Sequence, residues 1–408
     1  MTPPAAPRRP LGHIERIADS TEEWRDTGPV PLIYAAAGVV LALGLTHLIV
    51  GWYLANGLHR QALAVGDRPK ELGVRVREVS PDRVVLEAPG PRQDIGHPGV
   101  IGLAWDGGYG RVGDVRDVQG TRFIRDYEPV VGMPAVCLGD LEECLPVEMD
   151  SFAFPEDPGD VGLPFENVEY DSPLGPMGAW LVPVSRPGRW AVHCHGWTAE
   201  RREMIRILPA FHSARFTSLV IDYRNDAGAP RDPTGRHRFG LSEWEDLEAA
   251  IGYVLDEGAE EIVLTGYSTG AALVMALLER SPVAGAVRAV VADAPNIILA
   301  DAIRQGYRDV RATPLMVELG MWIADLRWKI GWEETNYVDR AAETLQVPAL
   351  VFHGTADQTV PISVSRRLEA RLPHLVELVE TQAAGHVMSW NANPARYEGY
   401  VTRFLEMI

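Results

Sequence analysis

Lysine is almost missing from this sequence: Lys70 and Lys329 stand against 36 arginines, a bias we ascribe to codon usage rather than chemistry. No cluster of basic residues offsets the formal net charge of −18, so phosphate backbones would be repelled and nucleic acid is not an expected partner. Cysteine is scarce as well. Cys137, Cys144 and Cys194 cannot make an even disulfide framework, and Cys194 sits in an apolar run where a thiol acts as a small hydrophobe. No internal repeat or low-complexity tract appears. Charge is absent from one long stretch, with no Asp, Glu, Lys or Arg between Asp26 and Arg60.

That stretch is long enough to cross a bilayer core of about 30 Å, so residues 30–58 are expected to form a membrane-spanning helix. Tyr34 near one end and Trp52 and Tyr53 near the other suit the two membrane interfaces. The competing expectation is a wholly buried core helix. A cleaved signal peptide fits less well, because the apolar run is too long and starts too late. Arg60, Arg68, Lys70, Arg75 and Arg77 follow the span, against Arg16 and Arg25 before it. By the positive-inside rule the larger part of the chain is then cytoplasmic. Residues 1–29, with proline and mixed charge but little periodicity, are expected to be disordered.

Residues 72–153 read as a small β-rich domain of short alternating strands such as VRVREV and RVVLEA, punctuated by Gly, Pro and Asp. The glycines of GVIGLAWDGGYGRVGDV neither follow a strand nor open a helix, so they carry no nucleotide signature. FPEDPGDVGLP (154–164) reads as an acidic linker. From residue 166 onward, short apolar runs of buried-strand length alternate with helical patterns, as in a mostly parallel sheet covered by helices on both faces. These runs are WAVHCHG (190–196), TSLVIDY (217–223), EIVLTGY (261–267), VRAVVADA (287–294) and VPALVFHG (347–354).

Gly266-Tyr267-Ser268-Thr269-Gly270 lies between the run IVLTGY and the helical pattern TGAALVMALLERS. A serine on a sharp strand-to-helix turn needs small neighbours and gains the helix N-terminus for a developing anion. A hydroxyl is a weak nucleophile unless a base takes its proton. His386, in the Gly-flanked loop AAGHVMSWN, is the expected base, and Asp357, just past VPALVFHG, the expected orienting carboxylate. Asp293 in VVADAP is the alternative acid, while His353 reads as a hydrogen-bonded structural residue. Gly196 lets the backbone turn after WAVHCHG, so the N–H groups of Trp197 and Thr269 are the expected oxyanion donors. His193 and His195, two apart, would share one side of a strand, but the H-x-H-x-D-H run of a metallohydrolase is missing and no metal site is expected. Tyr267, Arg224 and Asn225 are candidate substrate contacts.

HGWT, GYSTG, DQTVP and GHVM, in that order, make residues 166–408 resemble the α/β-hydrolase superfamily, in the branch of serine esterases, lipid hydrolases and prolyl-oligopeptidase-like peptidases. Ala271 departs from the frequent G-x-S-x-G-G form. The resemblance implies the α/β-hydrolase fold, ester or related acyl-bond hydrolysis through a Ser-His-Asp triad, no cofactor, and a small-molecule or lipid-like acyl substrate. It also implies that the insertion at 295–345, rich in Trp322, Trp328 and Trp332, is a cap over the site. Two other functions stay open: a peptidase with the β-rich region as access domain, and a membrane-anchored scaffold that has lost activity.

Overall fold

The computed structural model describes residues 30–65, 74–88, 94–132, 146–185 and 188–408. The expected N-terminal tail, Cys137 and Cys144 lie outside the described residues. Helix α1 (Val30–Leu58) runs unbroken for 29 residues and passes into a π-helical turn at His59–Leu63. It is long and apolar enough to cross a membrane. Ile33, Val40 and Leu45 are exposed, so most of the helix is not a buried core element. Only its last turns, at Leu54, Ala55 and Leu58, are covered.

A closed six-stranded barrel follows. Its strands are β1 (Val74–Ser80), β2 (Arg83–Glu87), β3 (Ile101–Trp105), β4 (Gly108–Gln119), β5 (Arg122–Gly132) and β6 (Pro146–Asp150), in the order β1-β2-β5-β4-β3-β6. Alternation explains its closure: Val74 and Val76, Val84 and Leu86, and Ile101 and Leu103 all turn inward to one core. Arg125 is also enclosed, and its guanidinium donates to the carbonyls of Ile95, Gly99 and Gly113. The stretch 154–164 links the barrel to the second sheet and is itself packed. Asp157 caps a 3₁₀ turn at Pro158–Val161, and Phe154 is buried with its ring 5.6 Å from Trp390.

The second sheet has eight strands: β7 (Glu166–Ser172), β8 (Gly175–Val182), β9 (Arg189–Cys194), β10 (Thr217–Ile221), β11 (Glu261–Tyr267), β12 (Val287–Asp293), β13 (Ala349–Gly354) and β14 (Val376–Thr381). Their order is β14-β13-β12-β11-β9-β10-β8-β7. The sheet is mixed: β9 to β14 pair in parallel, and β8 and β7 add antiparallel at one edge. Successive side chains face opposite layers, so both faces must be apolar. Val192, Leu264 and Val351 pack on helices α3 (Trp244–Asp256), α4 (Thr269–Arg280) and α8 (Ser363–Arg371). Ala191, Val263 and Phe352 pack on α2 (Leu208–Ser213) and α10 (Pro394–Met407). The insertion after β12 holds α5 (Leu299–Gly306), α6 (Pro314–Trp328) and α7 (Ala341–Thr344); a short helix α9 (Ser389–Ala392) precedes α10.

Candidate active site

Ser268 joins β11 to α4 with φ 48° and ψ −112°, a left-handed backbone in a residue other than glycine. Such strain persists because the surroundings fix it. The Ser268 N–H donates to the Asp293 carbonyl at 2.9 Å, and the Asn296 N–H donates to the Ser268 carbonyl at 3.0 Å. The flanking glycines are steric necessities. A Cβ at 266 would lie 2.5 Å from the Ala271 nitrogen, and one at 270 would lie 2.3 Å from the Cys194 carbonyl oxygen.

Three side chains from three separate post-strand loops meet here. Ser268 Oγ lies 2.9 Å from His386 Nε2, and His386 Nδ1 lies 2.7 Å from Asp357 Oδ2. With the ring proton on Nδ1 donated to Asp357, Nε2 is left to accept from the hydroxyl. Asp357 is fixed by further donors, the N–H groups of Thr359 (2.8 Å) and Val360 (2.9 Å) on Oδ1 and His353 Nε2 at 3.2 Å from Oδ2. Burial pushes the Asp357 carboxyl upward, but the hydrogen bonds from His353 and His386 prevail and hold it well below the usual carboxylate range. The alternative acid, Asp293, accepts instead from Ser389 Oγ at 3.0 Å, and burial raises it to about 6. Gly354 was not singled out by sequence. A Cβ there would lie 2.2 Å from the Ala384 carbonyl, so this glycine lets the His386 loop close onto β13.

Gly196 abuts Ser268: a Cβ on it would sit 3.4 Å from Ser268 Cβ. Its N–H is committed to the buried Glu203, at 2.7 Å from Oε2, and its carbonyl accepts from Tyr223 Oη at 3.0 Å. His195 stacks on Tyr223 and lies 3.0 Å from Asp226 Oδ2 through Nε2 and 2.9 Å from the Gly196 carbonyl through Nδ1. Burial opposes charge on His195, yet Asp226 and the Gly196 carbonyl raise it to about 9, so both ring nitrogens donate. A buried polar frame therefore sets the turn that leads into Trp197, whose ring packs near Phe239 and His237.

His193 and His195 do not act as a pair. Strand β9 ends at Cys194, so the alternation breaks; His193 packs edge-on against Phe211 in the opposite layer, and burial lowers it to about 3. Among the described residues, His195, Asp222 and Asp226 bring ligand atoms within 4.8 Å of one another. These groups are already paired, His195 with Asp226 and Asp222 with Arg201 at 2.9 Å. The other candidate contacts are engaged elsewhere. Arg224 is buried against Asp246, Glu245 and Asp232. Asn225 accepts from the Asp232 N–H within its own loop. Tyr267 is buried, its hydroxyl 3.0 Å from that of Tyr397.

The barrel reaches the same site, which local periodicity gave no means of foreseeing. The Gly385 N–H, next to His386, donates to His97 Nε2 at 2.8 Å, while His97 Nδ1 donates to the Pro98 carbonyl at 2.8 Å. Burial, with Arg125 nearby, lowers the His97 pKa and keeps the ring neutral, as an acceptor must be. Asn391 Nδ2 donates to the Val100 and Ser151 carbonyls, and Arg206 donates to Val387 O and Asn391 Oδ1. The His386 loop is thus clamped from two sides. His97→Ala is expected to lower kcat about tenfold, the scale of one lost hydrogen bond at a positioned group, with KM nearly unchanged. His97→Gln, which keeps an acceptor, should recover part of the loss; ester kinetics on the three proteins measure both effects, and an unchanged kcat in His97→Ala would refute the clamp.

The chain belongs to the α/β-hydrolase family, whose model matches residues 191–399; α1 and the barrel lie outside the match. The esterase Pf2001 of Pyrococcus furiosus is similar in structure, with 20% identity and a TM-score of 0.51, covering 62% of this chain and 96% of that one. The naproxen esterase (carboxylesterase NP) of Bacillus subtilis is 17% identical, with a TM-score of 0.43 and coverage of 60% and 92%. Comparison with curated proteins gives no match. The likeness to Pf2001 shows the fold; the chemistry rests on the residues themselves.

Proposed function

We propose that this protein is a membrane-tethered serine hydrolase that cleaves an ester or related acyl bond through an acyl-enzyme intermediate. The observation that carries this is the hydrogen-bonded series Ser268–His386–Asp357. Ser268 Oγ attacks the carbonyl carbon while His386 takes the hydroxyl proton, and Asp357 steadies the imidazolium that forms. The N–H groups of Trp197 and Thr269 receive the oxyanion, since that of Gly196 is held by Glu203. The proton on His386 then passes to the leaving group, and a water, deprotonated by the same ring, releases the acid. Nucleophile, base and orienting acid are all side chains, so this chemistry requires no cofactor.

The substrate is an acyl compound of small-molecule or lipid-like type. What supports this is the apolar cover beside Trp197, which joins Leu58 of the tether, Leu299 of α5 and Ala324 of α6. In this reading residues 30–58 tether the chain to the membrane with the catalytic domain on the cytoplasmic side, and the excess of arginines after the span supports that orientation. A fluorophosphonate probe tests the assignment: the purified protein becomes labelled and Ser268→Ala does not. A folded wild type that resists the probe, or equal labelling of the variant, would overturn it. A p-nitrophenyl ester series of rising chain length then locates the acyl preference.

A further inference from the structure

Helix α6 does not cover the site alone; it lies along the last part of α1. A Cβ on Gly51 would stand 3.2 Å from the Gly320 nitrogen, and one on Gly320 would stand 3.1 Å from the Gly51 carbonyl. Two small residues at the crossing let the backbones touch. The contacts on either side run in step. Thr313 Oγ1 lies 3.5 Å from His47, Arg327 donates to Asn56 Oδ1 at 2.9 Å, and Trp328 stacks on His59 at 4.5 Å. The two helices are therefore parallel neighbours, and each residue of α6 has a known level along α1.

That ruler fixes depth. A hydrocarbon core of about 30 Å takes up about 20 helical residues. Counted from Val30, where α1 begins, it ends near Gly51, which is the level of Gly320. Leu315 falls inside that boundary, and Trp322 and Leu326 fall in the interfacial layer beyond it. These three are 64%, 60% and 70% exposed, and their spacing puts them on one face of α6. Glu318, between the first two, is paired with Arg304 of α5, and in a water-facing cap the three apolar side chains beside that pair would be unexplained. Trp52 and Tyr53 of α1 are exposed at the same level, where aromatic side chains favour the interface.

We infer that α6 enters the bilayer surface beside α1, so that the roof of the acyl site is seated in lipid; this rests on the tethered-hydrolase reading above. The partner is a lipid surface. Because Ala324 of α6 and Trp197 share one apolar cluster with Leu58, an acyl chain drawn from the membrane would meet apolar surface from the end of α1 to the turn beside Ser268.

The test is nitroxide accessibility in the full chain, reconstituted in nanodiscs of phosphatidylcholine and phosphatidylglycerol, with Cys137, Cys144 and Cys194 replaced by Ala. Single labels are placed by Val40→Cys on α1, Leu315→Cys on α6 and Glu343→Cys on the exposed side of α7. The expected result is that the labels at 40 and 315 both lose collisions with a water-soluble nickel chelate and gain them with oxygen, while the label at 343 stays open to nickel. If the label at 40 is protected but that at 315 behaves like 343, α6 lies in water and the inference fails while the tether stands. If the label at 40 is also open to nickel, the tether itself is wrong and the inference falls with it.

Discussion

Ser268→Ala is expected to lower kcat/KM on an activated ester by about 10⁴-fold or more, which is about 5.5 kcal/mol or more of transition-state stabilisation. The residual rate would come from backbone donors and binding, which survive the loss of the hydroxyl. Asp357→Asn should cost nearly as much, on the order of 10⁴-fold in kcat, for a different reason. Asparagine keeps the shape, but its amide can turn an N–H toward His386 Nδ1. The ring proton then moves to Nε2, and the nitrogen facing Ser268 Oγ no longer accepts. Asp293→Asn is the informative control. Its carboxyl meets Ser389 rather than His386, and the contact it makes with Ser268 runs through its backbone carbonyl, which the substitution keeps. We expect its turnover to stay within about tenfold of wild type. Steady-state kinetics on one p-nitrophenyl ester decide the matter: equal losses in the two Asn variants would mean that the orienting acid has been assigned wrongly.

The elbow and its partners were legible because each is a local pattern of short reach. An apolar run, a G-x-S-x-G turn and a helical pattern adjoin Ser268, while Asp357 and His386 each follow a strand-like run. What stayed hidden are contacts between distant segments. Gly385 and His97 are 288 positions apart, and alternation in β-strands tells which side chains turn inward without telling what the barrel rests against. The crossing of α1 on α6 is equally silent, since a glycine in an apolar run reads the same whether or not another glycine faces it. Arg224 shows the opposite failure. A charged residue in a loop after a strand suggests a pocket, but its carboxylate partners Glu245 and Asp246 sit on α3 and bury it in an ion cluster. Composition also left the packing of 154–164 unseen, where proline and acid suggested only a linker. Asp157 and Asp160 instead cap each other's backbone in a packed turn. The histidine pair failed for a simple reason: a two-residue period holds only while the strand lasts, and β9 stops at Cys194.

Gly270→Ala is expected to damage both stability and activity, although it adds only one methyl group. The added carbon would stand 2.3 Å from the Cys194 carbonyl oxygen and 2.7 Å from that of His195, and neither is the yielding end of a side chain. The first belongs to the end of β9, held in register by β10 on one side and β11 on the other, and the second to the residue just beyond it. Moving them would also shift Gly196, the next residue, which abuts Ser268. Overpacking of a well-filled core costs about 1–3 kcal/mol and occasionally more, and a clash against paired backbone belongs at the upper end. The expected loss is therefore about 3 kcal/mol of stability, with activity falling further than stability because the distortion centres on the nucleophile. Gly285→Ala supplies the comparison: a Cβ there meets nothing within 4 Å, so its effect should stay within about 0.5 kcal/mol. Denaturant midpoints for the two variants in the same detergent separate them. Equal midpoints would show that α4 can move off β9, and the backbone strain at Ser268 would then have to be held by the Asp293 and Asn296 hydrogen bonds alone.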